Sequence, residues 1–376
     1  MTTARLASNF GATMGRALGA PKSRTKLLRG DQASNRREAL APYAQARVPR
    51  ALADLATSVV PYLALMATMY LSLKVSYALA LLLAVPTSAF ALRTFVIFHD
   101  CTHNSFFPSK RANKWVGRAL GLVVFSSYVG WRHDHLVHHA TSGDLDRRGG
   151  GDVPTMTVAE YRRGSWLSRL GYRLFRNPLV MFGLGPLYAM IVSPRLVQRD
   201  ARPWIRHSVQ TTNVVLALAI GALCWLVGWR QFLLVQTPIA LLAGGAGIFL
   251  FYVQHQFEAA YWQTHGDWNF ADSALRGSSY LKLPEVLRFV TANIGFHHVH
   301  HLSARIPNYN LKRAHEENAI FQAVPTLSLL DGMRAVRLKL WDEDRGKLVT
   351  FAQARSNAAL APVRERPGTS TAPVGT

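Results

Sequence analysis

The sequence predicts an all-α integral membrane protein, with four transmembrane helices in two hairpins, interfacial helices and a histidine-rich cap. Three observations predict it. The apolar residues are concentrated in four runs, each long enough to cross a hydrocarbon core of about 30 Å at about 1.5 Å per residue. Only short turns separate the paired runs. Ten of the 14 histidines fall in three clusters, His99–His103, His133–His139 and His297–His301; the second run ends just before His99, and a single His255 follows the fourth.

The elements follow in order. Residues 1–50 hold ten Lys and Arg against Asp31 and Glu38, with no apolar core of signal-peptide length. A basic tail that favours anionic lipid is expected there, an organellar leader being the alternative. Apolar runs at 52–73, with Pro61 inside, and 75–98 are joined at Lys74 and form the first hairpin. The stretches 115–130, interrupted by Arg118, and 177–192, with Gly183, Gly185 and Pro186, are short for spans and predict interfacial or re-entrant helices. Runs at 211–229 and 232–253 meet at Arg230-Gln231 and form the second hairpin. In its second arm, Pro238 and Gly244-Gly245-Ala246-Gly247 suit a kink and close helix contact. From His255 the chain turns mixed and polar. The expected domain limits are a tail to residue 50, a membrane domain over 51–340 and an extension over 341–376, disordered after about Ala361.

The 376-residue chain carries a formal charge of +22 and a pI near 10.7. That balance would suit a nucleic-acid binder, but the long apolar runs favour a membrane protein obeying the positive-inside rule. No nucleic-acid partner is expected. The two hairpin turns carry one basic residue each, so the opposite side, with nearly all remaining Lys and Arg, is expected to be cytoplasmic. Every histidine cluster then falls on that face. Two cysteines cannot make a disulfide framework. Cys224 reads as a small core hydrophobe and Cys101 as a bystander inside the first cluster.

Residues three and four apart share a helix face. His99 and His103 are i and i+4. His135, His138 and His139 are i, i+3 and i+4, and His297, His300 and His301 repeat that pattern. With His255 at the end of the fourth run the set is nine, more than the about six that one metal accepts, which implies two metals. His133 and His298 are possible alternates. All-nitrogen sites fit iron, zinc or copper, and the scarcity of carboxylates argues against magnesium or calcium. Asp100, Asp134, Asp144, Asp146 and Asn293 are candidates to hold the outer ring nitrogens and fix their tautomers. A membrane protein that binds or transports metal without catalysis is a competing reading. The ligands then belong near the midplane, inside spans, and here they follow span ends.

HxxxH at 99–103, HxxHH at 135–139 and HxxHH at 297–301, spread over four spans, resemble the three histidine boxes of membrane fatty acid desaturases. The resemblance covers roughly residues 50–340. Three residues between the first pair of histidines are similar to the acyl-lipid branch. Ile306-Pro307-Asn308-Tyr309 and Trp131 resemble the omega-6/delta-12 type, and Ala140 to Gly149 resembles its bacterial members. The first box reads His-Asp-Cys-Thr-His where many relatives carry His-Glu-Cys-Gly-His. The resemblance implies a non-haem di-iron centre, O2 as co-substrate, and removal of two hydrogens from the acyl chain of a membrane lipid. It also implies a multi-pass protein of a bacterial inner membrane. A fatty acyl or carotenoid hydroxylase or ketolase on the same scaffold is the alternative. The chain has no His-Pro-Gly-Gly haem motif and no dinucleotide loop, so an external, ferredoxin-like electron donor with its reductase is implied. The basic face at Arg147, Arg148, Arg162, Arg163 and Arg169 offers such a partner a surface, or serves topology and lipid headgroups. Nothing in the sequence fixes an oligomeric state.

Overall fold

A computed structural model describes residues 35–148, 151–197 and 201–360. The chain divides into two compact units at Pro42 and Tyr43. In the first, residues 35–40 are helical. The basic leader through residue 34 and the tail after residue 360 lie outside the described residues. Everything below concerns the second unit.

Four helices are long and apolar enough to cross a membrane: α1 (Val48–Ser72), α2 (Tyr77–His103), and further along the chain α7 (Pro203–Val227) and α8 (Trp229–His255). They match the four expected runs, with shifted ends. Helix α2 does not stop near residue 98. It continues through the whole first histidine cluster and ends at Asn104, whose left-handed φ of 56° returns the cap N–H to Asp100 and Cys101 carbonyls. Pro203 at the first turn starts α7 about two turns earlier than the apolar run, because Pro is tolerated where the N–H has no helical partner. Gly228, at φ 92°, makes the α7–α8 turn.

Helix α2 is the central span: half of its most apolar window is buried, against 11% for α7. Tyr62 and Met69 of α1, Ala84 of α2, and Val235 and Ile239 of α8 share one apolar cluster. Arg93 of α2 forms a buried ion pair with Asp54 of α1 and donates from Nε to Ser58 Oγ at 2.8 Å. It also donates to the Phe289 carbonyl. An ionised group at this depth needs such partners.

Between the hairpins lie α3 (Lys110–Val123), α4 (Tyr128–Thr141), a first strand β1 (Met156–Thr157), α5 (Val158–Arg163) and α6 (Trp166–Phe175). The 115–130 stretch is therefore not one helix. It covers most of α3, a break at Phe125 (φ 55°), and the start of α4, with Ser127 Oγ capping the new helix. After α6 the chain bends by 59° into a mixed π and α segment, Val180–Arg195. That segment lies on the glycine patch of α8. A Cβ on Gly244 would come within 2.7 Å of Met190 and Pro186, and one on Gly245 within 2.9 Å of the Phe182 carbonyl. The bent pair is not a crossing. A single crossing there would put His138 and His255 on opposite sides of the bilayer, yet they lie in one cluster.

The last third caps the histidine-bearing ends. It runs through α9 (Phe270–Arg276), β2 (Tyr280–Leu281), α10 (Glu285–Val290), α11 (His297–Leu302), α12 (Asn308–Glu317), β3 (Thr326–Leu327), α13 (Leu329–Ala335), β4 (Leu340–Asp342), β5 (Lys347–Val349) and α14 (Phe351–Leu360). Strand β4 pairs parallel with β1 and antiparallel with β5, and β2 pairs parallel with β3. The expected boundary at 340/341 falls inside β4. Trp341 and Leu348 pack with Phe257, Ala260 and Trp262, so residues through Val349 belong to the cap.

Candidate metal centre

Four elements deliver the histidines. The last turns of α2 carry His99 and His103, the second half of α4 carries His135, His138 and His139, α8 ends on His255, and α11 carries His297, His300 and His301. The third box is held at both ends. On its N-terminal side Ala292 and Asn293 take left-handed φ values of 44° and 59°. The Leu281 N–H then bonds the Gly295 carbonyl at 2.9 Å. A Cβ on Gly295 would sit 2.6 Å from the Leu281 carbonyl oxygen, so only glycine fits that approach. On its C-terminal side the Asn308 N–H donates to Asp100 Oδ2 at 2.6 Å, and Tyr309 donates to the Phe106 carbonyl at 3.0 Å. Those two bonds give Asn308 and Tyr309 a structural role: they lock the third box onto the first.

The nine histidines fall into two groups. His99, His103, His135, His139 and His300 offer one ring nitrogen each within 4.8 Å of one another, and so do His138, His255, His297 and His301. Each HxxHH box divides. In α4 the i, i+4 pair His135 and His139 joins the first group while His138 joins the second. In α11 the pair His297 and His301 joins the second group while His300 joins the first. One residue is about 100° of helix rotation, so adjacent residues face different groups. The groups touch: His139 stacks on His301 with centroids 4.2 Å apart.

Among the described residues, every nitrogen contact inside these groups is Nε2 to Nε2. His135–His139 is 3.1 Å and His139–His300 is 3.0 Å. His255–His297 is 2.9 Å, His297–His301 is 3.1 Å and His138–His301 is 3.2 Å. Burial pushes His135, His139, His297, His300 and His301 well below the ordinary imidazole pKa, and the neighbouring rings push the same way. Each ring is therefore neutral, with one N–H and one lone pair. His297 Nε2 is approached by two other Nε2 atoms, which a single N–H cannot satisfy. Nitrogens bound to one first-row cation at about 2.0–2.1 Å lie about 2.9–3.4 Å apart, which matches the observed contacts. His103 Nε2, buried without a partner, adds a further donor to the first group. Neither group includes a carboxylate among the described residues. The residues present fit two nitrogen-rich metal sites.

The outer nitrogens explain why Nε2 turns inward. His99 Nδ1 meets Asp100 Oδ1 at 3.0 Å, His138 Nδ1 meets the Asp152 carboxylate, and His255 Nδ1 meets the Gly277 carbonyl at 3.2 Å. Each acceptor keeps the proton on Nδ1 and leaves Nε2 as the lone-pair donor. Of the five acids and amides expected in this role, only Asp100 touches one of the nine. Asp144, fully buried, binds His265 Nδ1 at 2.9 Å and Arg147 Nε at 2.7 Å, and these contacts hold its carboxyl below the usual range against the opposing cost of burial. Asp146 accepts the His265 N–H at 2.8 Å. Both brace the loop after α4. Burial raises the Asp134 pKa, with His133 alongside lowering it, and neither residue enters a group. Asn293 acts through backbone shape and donates to the Asn308 carbonyl at 3.1 Å. His298 lies outside both groups and contacts His315 Nδ1 at 3.0 Å, whereas His297 falls in the four-histidine group. Sequence reasoning missed Asp152 and Gly277. Asp152 follows a glycine run 13 positions after His139, where no helical spacing links it to the box.

Residues 74–326, which contain all nine histidines, match the family model described as fatty acid desaturase. The chain is 43% identical over 312 residues to a Bacillus subtilis protein named fatty acid desaturase, covering 83% of this chain and 89% of that one. It is 29% identical over 235 residues to the sn-1 acyl-lipid omega-3 desaturase (ferredoxin) of Synechocystis sp., covering 59% and 62%. It is also 25% identical over 236 residues to the sn-1 oleoyl-lipid 12-desaturase of Synechocystis sp., covering 59% and 63%.

Proposed function

This chain belongs to the fatty acid desaturase family, an oxidoreductase family, and from that premise we propose that it is an oxygen-dependent acyl-lipid desaturase with two iron ions held by the nine histidines. The observation that carries the reading is the pair of touching, all-histidine groups at the ends of membrane helices. Iron bound there supplies the oxidising power to remove two hydrogens from an unactivated chain while O2 is reduced to water. The protein supplies the rest. The rings that burial keeps neutral, His135, His139, His297, His300 and His301, present lone pairs without waiting for proton loss. Asp100, Asp152 and the Gly277 carbonyl fix three of the rings by their outer nitrogens. The apolar cluster of Leu92, Val96, Leu250 and Val253 lies on the bilayer side of the histidines and keeps water from the reacting chain.

The finer proposal is of omega-6/delta-12 type, with the substrate on a membrane lipid, electrons from a ferredoxin-like carrier and its reductase, and the histidine face turned to the cytoplasm of a bacterial inner membrane. The Synechocystis relatives support the acyl-lipid substrate and the ferredoxin donor by their names. Expression in a host without polyunsaturated lipid tests the proposal. The expected result is a new double bond in a monoenoic lipid acyl chain and about two irons per chain. A new bond at another position corrects the positional type alone, whereas unchanged lipid beside iron-loaded protein and a supplied reductant overturns the desaturase reading.

A further inference from the structure

Beneath the third histidine box, two short helices leave side by side. Strands β2 and β3 pair in parallel, Tyr280 with Thr326 and Leu281 with Leu327. Each is followed within a few residues by a helix, α10 after β2 and α13 after β3. Parallel strands send their continuations out of the same edge, so the two helices emerge together.

Both are amphipathic, with the apolar face outward. On α10, Val286 and Leu287 are 74% and 39% exposed, while the half-exposed Phe289 turns to the span beside it. On α13, Leu330 and Met333 stand three apart at 50% and 52%. Their inner faces are fixed to the two ligand-bearing spans. The Phe289 ring meets Phe90 of α2 edge-on at 6.5 Å, with the Arg93 guanidinium 4.0 Å above it. Gly332 of α13 lies against α8, where a Cβ would be 3.4 Å from Val253 and 3.6 Å from Phe249. Phe249 precedes His255 by six positions, about 9 Å along the helix. The pair of helices therefore sits on the bilayer side of the metal groups, at the depth where an interfacial helix buries its apolar face by about 5–10 Å.

The charges around this lip point to an anion. Arg288 pairs with Glu285, and Arg334 with Asp331 at 3.5 Å. Lys282, just before α10, and Arg337, just after α13, are exposed and have no ion pair among the described residues. Two unpaired cations thus flank an exposed apolar surface, the pattern that fits a phosphate above an acyl chain.

We propose that α10 and α13 form a lipid-seated lip that receives the phospholipid substrate: Val286, Leu330 and Met333 enter the acyl layer, and Lys282 and Arg337 hold the head-group phosphate. The proposal rests on the acyl-lipid reading, but its first test needs no turnover. In a Cys224→Ala background, where Cys101 is buried, Val286→Cys and Met333→Cys are labelled with an environment-sensitive fluorophore. The protein is then reconstituted in phosphatidylglycerol–phosphatidylcholine vesicles containing 5-doxyl phosphatidylcholine. Blue-shifted, quenched emission from both sites is expected; aqueous, unquenched emission overturns the lip whether or not the protein desaturates. The second test is kinetic. The Lys282→Glu, Arg337→Glu double variant is expected to raise KM for acyl chains on phosphatidylglycerol by about tenfold or more, with kcat kept. An unchanged KM, or a loss of kcat alone, overturns the head-group role.

Discussion

Asp100 accepts the backbone N–H of Asn308 at 2.6 Å, across 208 positions of sequence. The other oxygen of the same carboxylate holds His99 Nδ1 at 3.0 Å. One side chain thus orients a histidine of the first box and anchors the segment leaving the third. Asp100→Ala removes both, and outer partners of this kind are worth about 10–100-fold in metal affinity. Iron per chain after dialysis against a chelator is expected to fall with activity, and full iron retention would contradict the role.

The acids of the loop after α4 separate by contact. The Asp152 carboxylate meets His138, whereas the Asp146 carboxylate accepts the His265 backbone N–H. Asp152→Ala is expected to lower iron affinity about 10–100-fold. Asp146→Ala is expected to lower the unfolding temperature while iron content stays at the wild-type level. Equal effects on iron from both would contradict separate roles for the two carboxylates.

The double histidine at 297–298 makes a direct comparison possible. His300 lies in the five-histidine group and His298 lies outside both. Burial and the neighbouring His315 push His298 down to about 3, so it is neutral and packs as a core ring against Phe321 at 5.3 Å. His300→Ala should cost more than about 100-fold in activity, beyond what an outer partner supplies, together with iron. His298→Ala should cost stability and leave iron bound. Metal analysis of the two purified variants decides.

Lys339 provides a pH test away from the metal groups. Its Nζ is buried without a hydrogen-bond partner, 5.6 Å from the Tyr252 ring centroid, and burial, aided by the nearby Arg176, pushes its pKa down to about 8. The charged form is thus disfavoured in the fold. Between about 8 and the unfolded value near 10.4 the unfolded chain binds more protons, so this group makes stability rise with pH across that window and costs stability in full below it. Lys339→Met should raise the unfolding temperature at pH 7, by on the order of 2–4 °C for each kcal/mol relieved. The gain should shrink as pH climbs past about 8. A gain that is constant from pH 7 to pH 10 would show that packing, not charge, is responsible.

Breaking the Arg93–Asp54 pair is a test of the membrane frame. Both residues are buried between α1 and α2, and Arg93 also reaches the Phe289 carbonyl. Asp54→Ala leaves an uncompensated buried cation, a change worth about 3–5 kcal/mol. A lower unfolding temperature in detergent is expected, with partial recovery in the Asp54→Ala, Arg93→Met double variant. A fully stable single variant would show that the pair contributes little.

The sequence by itself determined the spans and the nine histidines. Apolar length sets a membrane helix and i, i+3, i+4 spacing sets a shared helix face, and both are local properties. The ends of the spans were less legible, because Asp100 and His103 look polar enough to end a helix until the cap at Asn104 and the bond to Asn308 are seen. Only the tertiary structure decided which histidine serves which group. His138 and His139 are neighbours in sequence yet belong to different groups, since about 100° of rotation separates them and the facing helices supply the rest of each set. Asp152, the Gly277 carbonyl and the parallel exit of α10 and α13 came from the same source. Their partners lie 14, 22 and about 46 positions away, beyond any periodicity a helix or strand imposes, and only chain packing brings them into contact.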